Sequence, residues 1–192
     1  MKFARLAAYA SLSIALLGSL ASCEREEDET SANVFQKTDI PATGAQIRPT
    51  ASPSTGSGKL TASYDKRNQT LSYTINWTGL SDSVIAIRIT GPAPTGYNAV
   101  NPAFTGANPT AFATTPYTSL QTFTGTGVKP LYPSTGSFTG TLLVDGVKVK
   151  EQDLLNGLYY ITVHTKTTLP VPAPGSFLYR WFGEIRAQIV LK

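Results

Sequence analysis

At 192 residues the chain fits one domain with appendages, and with only 15% charged residues and abundant Gly, Pro, Ser and Thr it suits short strands joined by turns. The net charge of +4 conceals a leader and an acidic run; from Thr30 onward there are 13 Lys and Arg against 7 Asp and Glu, scattered without a basic block. That scatter excludes tracking a phosphate backbone, so no nucleic acid is expected as a partner. One cysteine excludes an intrachain disulfide.

In chain order, Lys2 and Arg5 precede an apolar run from Leu6 to Leu20. A positive start with a short apolar segment predicts an export signal over residues 1–22, too short for an ordinary membrane span. It ends Leu20-Ala21-Ser22-Cys23, which resembles the lipobox of bacterial lipoproteins. The resemblance implies cleavage before Cys23 and acylation of its thiol. Two or three acyl chains on one residue make release from a membrane negligible, since each buried methylene contributes about 0.8 kcal/mol. Residues 24–29, Glu-Arg-Glu-Glu-Asp-Glu, read as a solvated acidic tether or, alternatively, resemble an acidic surface-export signal. Glu24 stands where an Asp marks inner-membrane retention in other bacteria, so an outer-membrane location is expected, facing the cell surface or otherwise the periplasm. No period is sustained from Thr30 to Ala45, which predicts that residues 23–45 are tether and linker and that the domain occupies 46–192.

Lys59–Tyr64 and Thr70–Thr78 alternate apolar and polar residues around a polar turn and predict a hairpin. Val84–Thr90 follows, with Ile85, Ile87 and Ile89 expected inward and Arg88 outward; Gly91-Pro92 ends it. Residues 91–116 read as a long loop and Tyr117–Gly125 as an irregular strand. Ser137–Val144 reads as a strand, and Lys150–Gly157 as one helical turn with a glycine stop. Two last segments, Asn156–His164 and Gly183–Leu191, carry period-two patterns and are expected to close the sheet. Short strands at regular spacing without helical crossovers predict an all-β, antiparallel Greek-key β-sandwich.

Gly136-Ser137-Phe138-Thr139-Gly140-Thr141, Leu154-Leu155-Asn156-Gly157, Tyr160-Ile161-Thr162-Val163-His164-Thr165 and Gly183-Glu184-Ile185-Arg186-Ala187-Gln188 occur in that order. This succession resembles the CHRD domain, the module named after chordin. The resemblance implies a β-sandwich related to immunoglobulin-like or superoxide-dismutase-like folds. Its motif positions here are Arg88, Thr90, His164, Glu184 and Arg186. The family pattern His-Ile-His-Gly-Pro-Ala is replaced by Arg88-Ile89-Thr90-Gly91-Pro92-Ala93, so a single histidine remains where three imidazoles could form a metal site. Zinc and copper sites take three or four such ligands, and neither a metal nor another cofactor is expected.

His164 is expected on the outward side of its strand with Tyr160 and Thr162, bonded to a neighbouring loop. Glu184 and Arg186, two residues apart, are expected as a partly exposed ion pair bracing an edge. No Gly-x-Ser-x-Gly elbow or telling carboxylate pair is present, so no catalytic residues are assigned and an enzyme is not expected. Lys166 to Phe182 is an insertion relative to the family, and it holds Phe177, Tyr179, Arg180, Trp181 and Phe182. These residues either pack under the loop or form an aromatic platform for a protein or glycan ligand. The functional expectation is a lipid-anchored, non-enzymatic module for binding or adhesion, the alternative being an accessory subunit of an outer-membrane assembly docking through 91–116 and 166–182.

Overall fold

The structure, a computed structural model, describes residues 33–48, 51–99, 119–124, 132–166, 179 and 182–191. Its strands are β1 (Val34–Thr43), β2 (Ser57–Asp65), β3 (Thr70–Thr78), β4 (Val84–Thr90), β5 (Ser119–Thr124), β6 (Gly136–Leu143), β7 (Tyr160–Thr165) and β8 (Ile185–Gln188). A short helix, α1 (Glu151–Leu155), lies between β6 and β7. Neighbouring strands pair antiparallel among the described residues, and the order β5-β4-β7-β8-β1-β2-β3-β6 makes one eight-stranded sheet. The all-β antiparallel fold is therefore as expected, with the layers of the sandwich continuous in one sheet that is nearly a barrel.

The unbroken alternation of β3 explains its place at the centre of one half. Leu71, Tyr73, Ile75 and Trp77 are buried, and the strand pairs along its whole length with both β2 and β6. Two of its aromatic rings need bare backbone opposite them. Tyr73 pairs with Gly140 and Trp77 with Gly136. A Cβ on Gly140 would lie 2.5 Å from the Tyr73 hydroxyl, and one on Gly136 3.1 Å from the Trp77 ring. The rings thus lie across β6, where a side chain would block them.

Edges β5 and β6 approach each other and nearly close the sheet. Tyr73 Oη donates to Gln121 Oε1 at 2.9 Å, Gln121 Nε2 donates to the Thr141 carbonyl at 2.9 Å, and the Phe123 and Phe138 rings lie 4.5 Å apart. Val84 forms an isolated antiparallel bridge with Tyr132. The other half contributes Ile87, Ile89, Ile161, Val163, Ile185, Ala187 and Ile189 to the same core. Helix α1 is fixed by Leu154, fully buried, and by Glu151, which accepts from Tyr64 Oη and pairs with Lys66 Nζ at 2.9 Å for each. It stops at Gly157, whose φ of +69° is the left-handed conformation that favours glycine.

Two expectations are corrected here. Residues 34–43, read as linker, form β1, which meets β8 at Thr43 and Arg186. Only Ile40 and Ala42 of that strand are buried, and Asp39 adopts φ +55°, so its sequence carries no clean alternation. In β4 the inward place expected for Ile85 is taken by Val84. Val84 pairs with Thr165 and Ala86 with His164, leaving Ile85 as the extra residue of a β-bulge.

Candidate functional site

The face of β4, β7 and β8 opposite the core carries the family-motif positions, and the register brings them into rows. Thr43 pairs with Arg186, Arg186 with Thr162, Thr162 with Arg88, and Arg88 with Thr122. Threonine and arginine thus alternate across β1, β8, β7, β4 and β5 at the inter-strand spacing of about 4.8 Å. The next row joins Gln188, Tyr160, Thr90 and Ser119. His164 lies one row the other way, opposite Ala86.

His164 lies on the side of β7 away from the core with Tyr160 and Thr162, as expected, but most of this polar face is closed to water. Every residue of β7 is buried, including Tyr160, Thr162 and His164. Much of the cover is the segment 91–99. Ala93 and Ala99 pack with Tyr160, and the Ala93 amide donates to the Leu158 carbonyl at 2.7 Å. The Tyr160 hydroxyl accepts from the Ala99 amide at 3.3 Å, and burial pushes its pKa up.

Glu184 and Arg186 are fully buried, at 0% and 1% exposure, in place of the partly exposed ion pair expected. Each has its own partners. Glu184 Oε1 accepts from Ser54 Oγ at 2.5 Å and the Ser81 amide at 2.7 Å; Oε2 accepts from Ser81 Oγ at 2.7 Å and Thr165 Oγ1 at 2.5 Å. One carboxylate therefore ties the loops before β2 and β4 to the end of β7. Gly183 makes that approach possible: its φ is +94°, and an added Cβ would stand 3.0 Å from Thr162 Cβ and 3.2 Å from the Val163 carbonyl oxygen.

Arg186 stacks its guanidinium 3.6 Å from the Tyr160 ring centroid. It donates from Nη1 to the Tyr97 carbonyl at 2.8 Å and Asn98 Oδ1 at 3.0 Å, and from Nη2 to Gln188 Oε1 at 2.7 Å. Gln188 Nε2 then donates to the carbonyls of Ala93 and Gly157, at 3.0 and 2.6 Å. Arginine and glutamine together hold 91–99 down on the sheet, charge-assisted bonds being the stronger members of the set.

Arg88 differs. It is half-buried, and its Nε is sealed from solvent without a hydrogen-bond partner. Burial lowers its pKa to about 10, with no carboxylate opposing the shift.

Thr162 Oγ1 and His164 Nε2 lie 2.8 Å apart, a hydroxyl–imidazole pair of the kind that activates nucleophiles elsewhere. Here the two residues are 4% and 1% exposed, so a substrate has no approach to them. Among the described residues no three His, Cys, Asp or Glu side chains converge. One imidazole among hydroxyls and guanidinium groups is not the donor set of a zinc or copper site.

The aromatic platform is only partly within view. Tyr179 is 3% exposed and Phe182 half-buried, so neither is a free ring for a ligand, in keeping with the packing alternative. Phe177, Arg180 and Trp181 lie outside the described residues, as does the acylation position Cys23.

The comparison with family models decides the family. The CHRD domain model matches residues 39–169, more than half of the chain. The chain belongs to the CHRD family. The CHRD match starts within β1 and runs through β7, with β8 beyond it, after the segment 166–182 that the sequence marks as an insertion. No curated protein and no solved structure matches the chain.

What sequence reading missed is that the CHRD motif residues hold a cover in place. Polar residues alternating with apolar ones look like a solvated face, and no local pattern announces that a following loop will fold over them. The one available signal was Tyr160 beside Arg186 and Gln188, residues large enough to need partners when strands pair.

Proposed function

We propose that this CHRD protein is a lipid-anchored, non-enzymatic binding module displayed at the outer membrane, on the cell surface or otherwise in the periplasm. The observation that carries the reading is the use made of the motif residues. Both oxygens of Glu184 are filled by hydroxyl and amide donors, Arg186 is spent on 91–99 and the Tyr160 ring, and His164 is sealed beside Thr162. Groups engaged in this way brace a scaffold, and a braced scaffold with loops at its ends is the form in which binding proteins present variable surfaces. The lipobox-like Cys23 and the charged, short apolar leader support the anchor. No helix among the described residues is long and apolar enough to cross a membrane.

An accessory role in a larger outer-membrane assembly is the second reading, favoured by the size of the segments 91–116 and 166–182. Protease shaving of intact cells expressing the full chain and a Cys23→Ser variant tests display. The surface form of the proposal expects digestion of the wild-type domain in intact cells and loss of Cys23→Ser from the membrane fraction. Protection until lysis moves the domain to the periplasmic side, and an unchanged membrane fraction for Cys23→Ser removes the anchor. A stoichiometric partner that co-purifies from solubilised membranes favours the assembly reading.

A further inference from the structure

We propose that the outer strip of β4 and β5 is an oxyanion-binding site, in which Arg88 Nε and Ser119 Oγ donate to a carboxylate or sulfate group of the module's ligand. This deepens the binding-module reading and rests on it only for the ligand's context. Among the described residues two buried side-chain polar atoms have no hydrogen-bond partner, Arg88 Nε and Ser119 Oγ. They sit on adjacent strands in neighbouring rows: Arg88 pairs with Thr122, and Ser119 with Thr90. The register shift at Ile89/Thr90 turns Leu120 and Gln121 together toward the interior, where Leu120 packs on the core and Gln121 meets Tyr73. Ser119 and Thr122 are thereby left on the side of Arg88.

Buried donors in folded proteins almost always have acceptors, and a sealed guanidinium N–H is among the costlier exceptions. Two such exceptions on adjacent strands, both able to donate, ask for a ligand that only accepts. An oxyanion meets that demand. The Nε–Nη edge of a guanidinium matches two oxygens of a carboxylate or sulfate, a geometry lysine cannot offer. Thr122, exposed and paired with Arg88 on the neighbouring strand, supplies a hydroxyl beside it. Arg88 is half-buried as a residue, so part of its side chain is open to solvent, and a small shift of the sealed Nε edge is what would admit the anion.

The test is a titration of the full chain, purified from membranes in detergent and labelled with nitrogen-15, followed at the Arg88 Nε–H resonance. Sodium acetate, glucuronate and sulfate are the probes, with chloride at matched ionic strength as reference. The proposal expects a saturable shift of that resonance with at least one probe and none with chloride. Acetate with glucuronate points to a carboxylate ligand, and sulfate alone to a sulfated one. Thermal stabilisation by the same probe should weaken tenfold or more in Arg88→Lys, which keeps the charge and loses the fork, and several-fold in Ser119→Ala. A shift that never saturates, or that chloride reproduces, overturns the site. So does binding that survives intact in Arg88→Lys. A failure here leaves acylation and display untouched, because those are read on cells.

Discussion

Replacing Glu184 by alanine should destabilise the domain more than any other single polar substitution on this face. The carboxylate is fully buried and accepts four hydrogen bonds, from Ser54 Oγ, the Ser81 amide, Ser81 Oγ and Thr165 Oγ1, at 2.5–2.7 Å. Alanine strands three hydroxyls and one amide at a site closed to water, and each stranded group costs about 1–3 kcal/mol where it cannot find another partner. The hydroxyls can turn to one another or to nearby carbonyls, so the net loss should be roughly 3–5 kcal/mol. For a domain of this size that lowers the midpoint of thermal unfolding by about 6–20 °C, at 2–4 °C per kcal/mol. Glutamine keeps the shape and one acceptor oxygen but gives up the charge, and should lose about half as much. Urea unfolding followed by tryptophan fluorescence measures both variants, provided the slope with urea is unchanged. Equal losses for alanine and glutamine would mean that charge contributes nothing. A loss below about 1 kcal/mol for alanine would refute the view of Glu184 as the tie between loops.

Two further expectations concern the scaffold. Gly140→Ala places a Cβ 2.5 Å from the Tyr73 hydroxyl, displacing a ring whose bond to Gln121 helps join β5 to β6. Overpacking of this kind costs about 1–3 kcal/mol, to be read as a lower urea midpoint. On acidification, stability should fall as Asp145 and Glu151 protonate. Asp145 is held below its usual value by the amides of Val149, Val147 and Lys148, and Glu151 by Lys66 and then Tyr64. Both folded pKa values are depressed, so their stabilisation is present in full above the unfolded carboxylate range near pH 4 and disappears as pH drops through the folded values. Urea midpoints between pH 6 and 2 check this, and the Asp145→Asn, Glu151→Gln double variant should show a shallower decline.

The parts of this fold visible in the sequence are those where one face alone is buried and nothing interrupts the period. Thr70–Thr78 and Val84–Thr90 are strands with the bounds read from alternation, because Leu71, Tyr73, Ile75 and Trp77 have to share a side. The strand at 34–43 was hidden because Asp39 turns left-handed and Pro41 breaks the polar positions, leaving only Ile40 and Ala42 as signal. The bulge at Ile85 depends on where Val84 meets Thr165, a tertiary fact with no local mark. The candidate site shows the same limit. Arg88, Thr90, His164, Glu184 and Arg186 could be named from the CHRD resemblance, and the register does gather them on one face. Their burial could not be read, because it depends on the segment 91–99 folding back through Gln188 and Arg186. Arg88 and Ser119 have no spacing that links them, being joined only by the pairing of β4 with β5.

The central claim, a CHRD scaffold tethered by lipid at its N-terminal end, is tested most directly by the intact mass of the protein extracted from membranes. The account predicts a chain starting at Cys23 with a diacylglyceryl group on its thiol, and loss of that mass in Cys23→Ser. A full-length chain beginning at Met1, or a processed chain whose Cys23 carries no lipid, would contradict it.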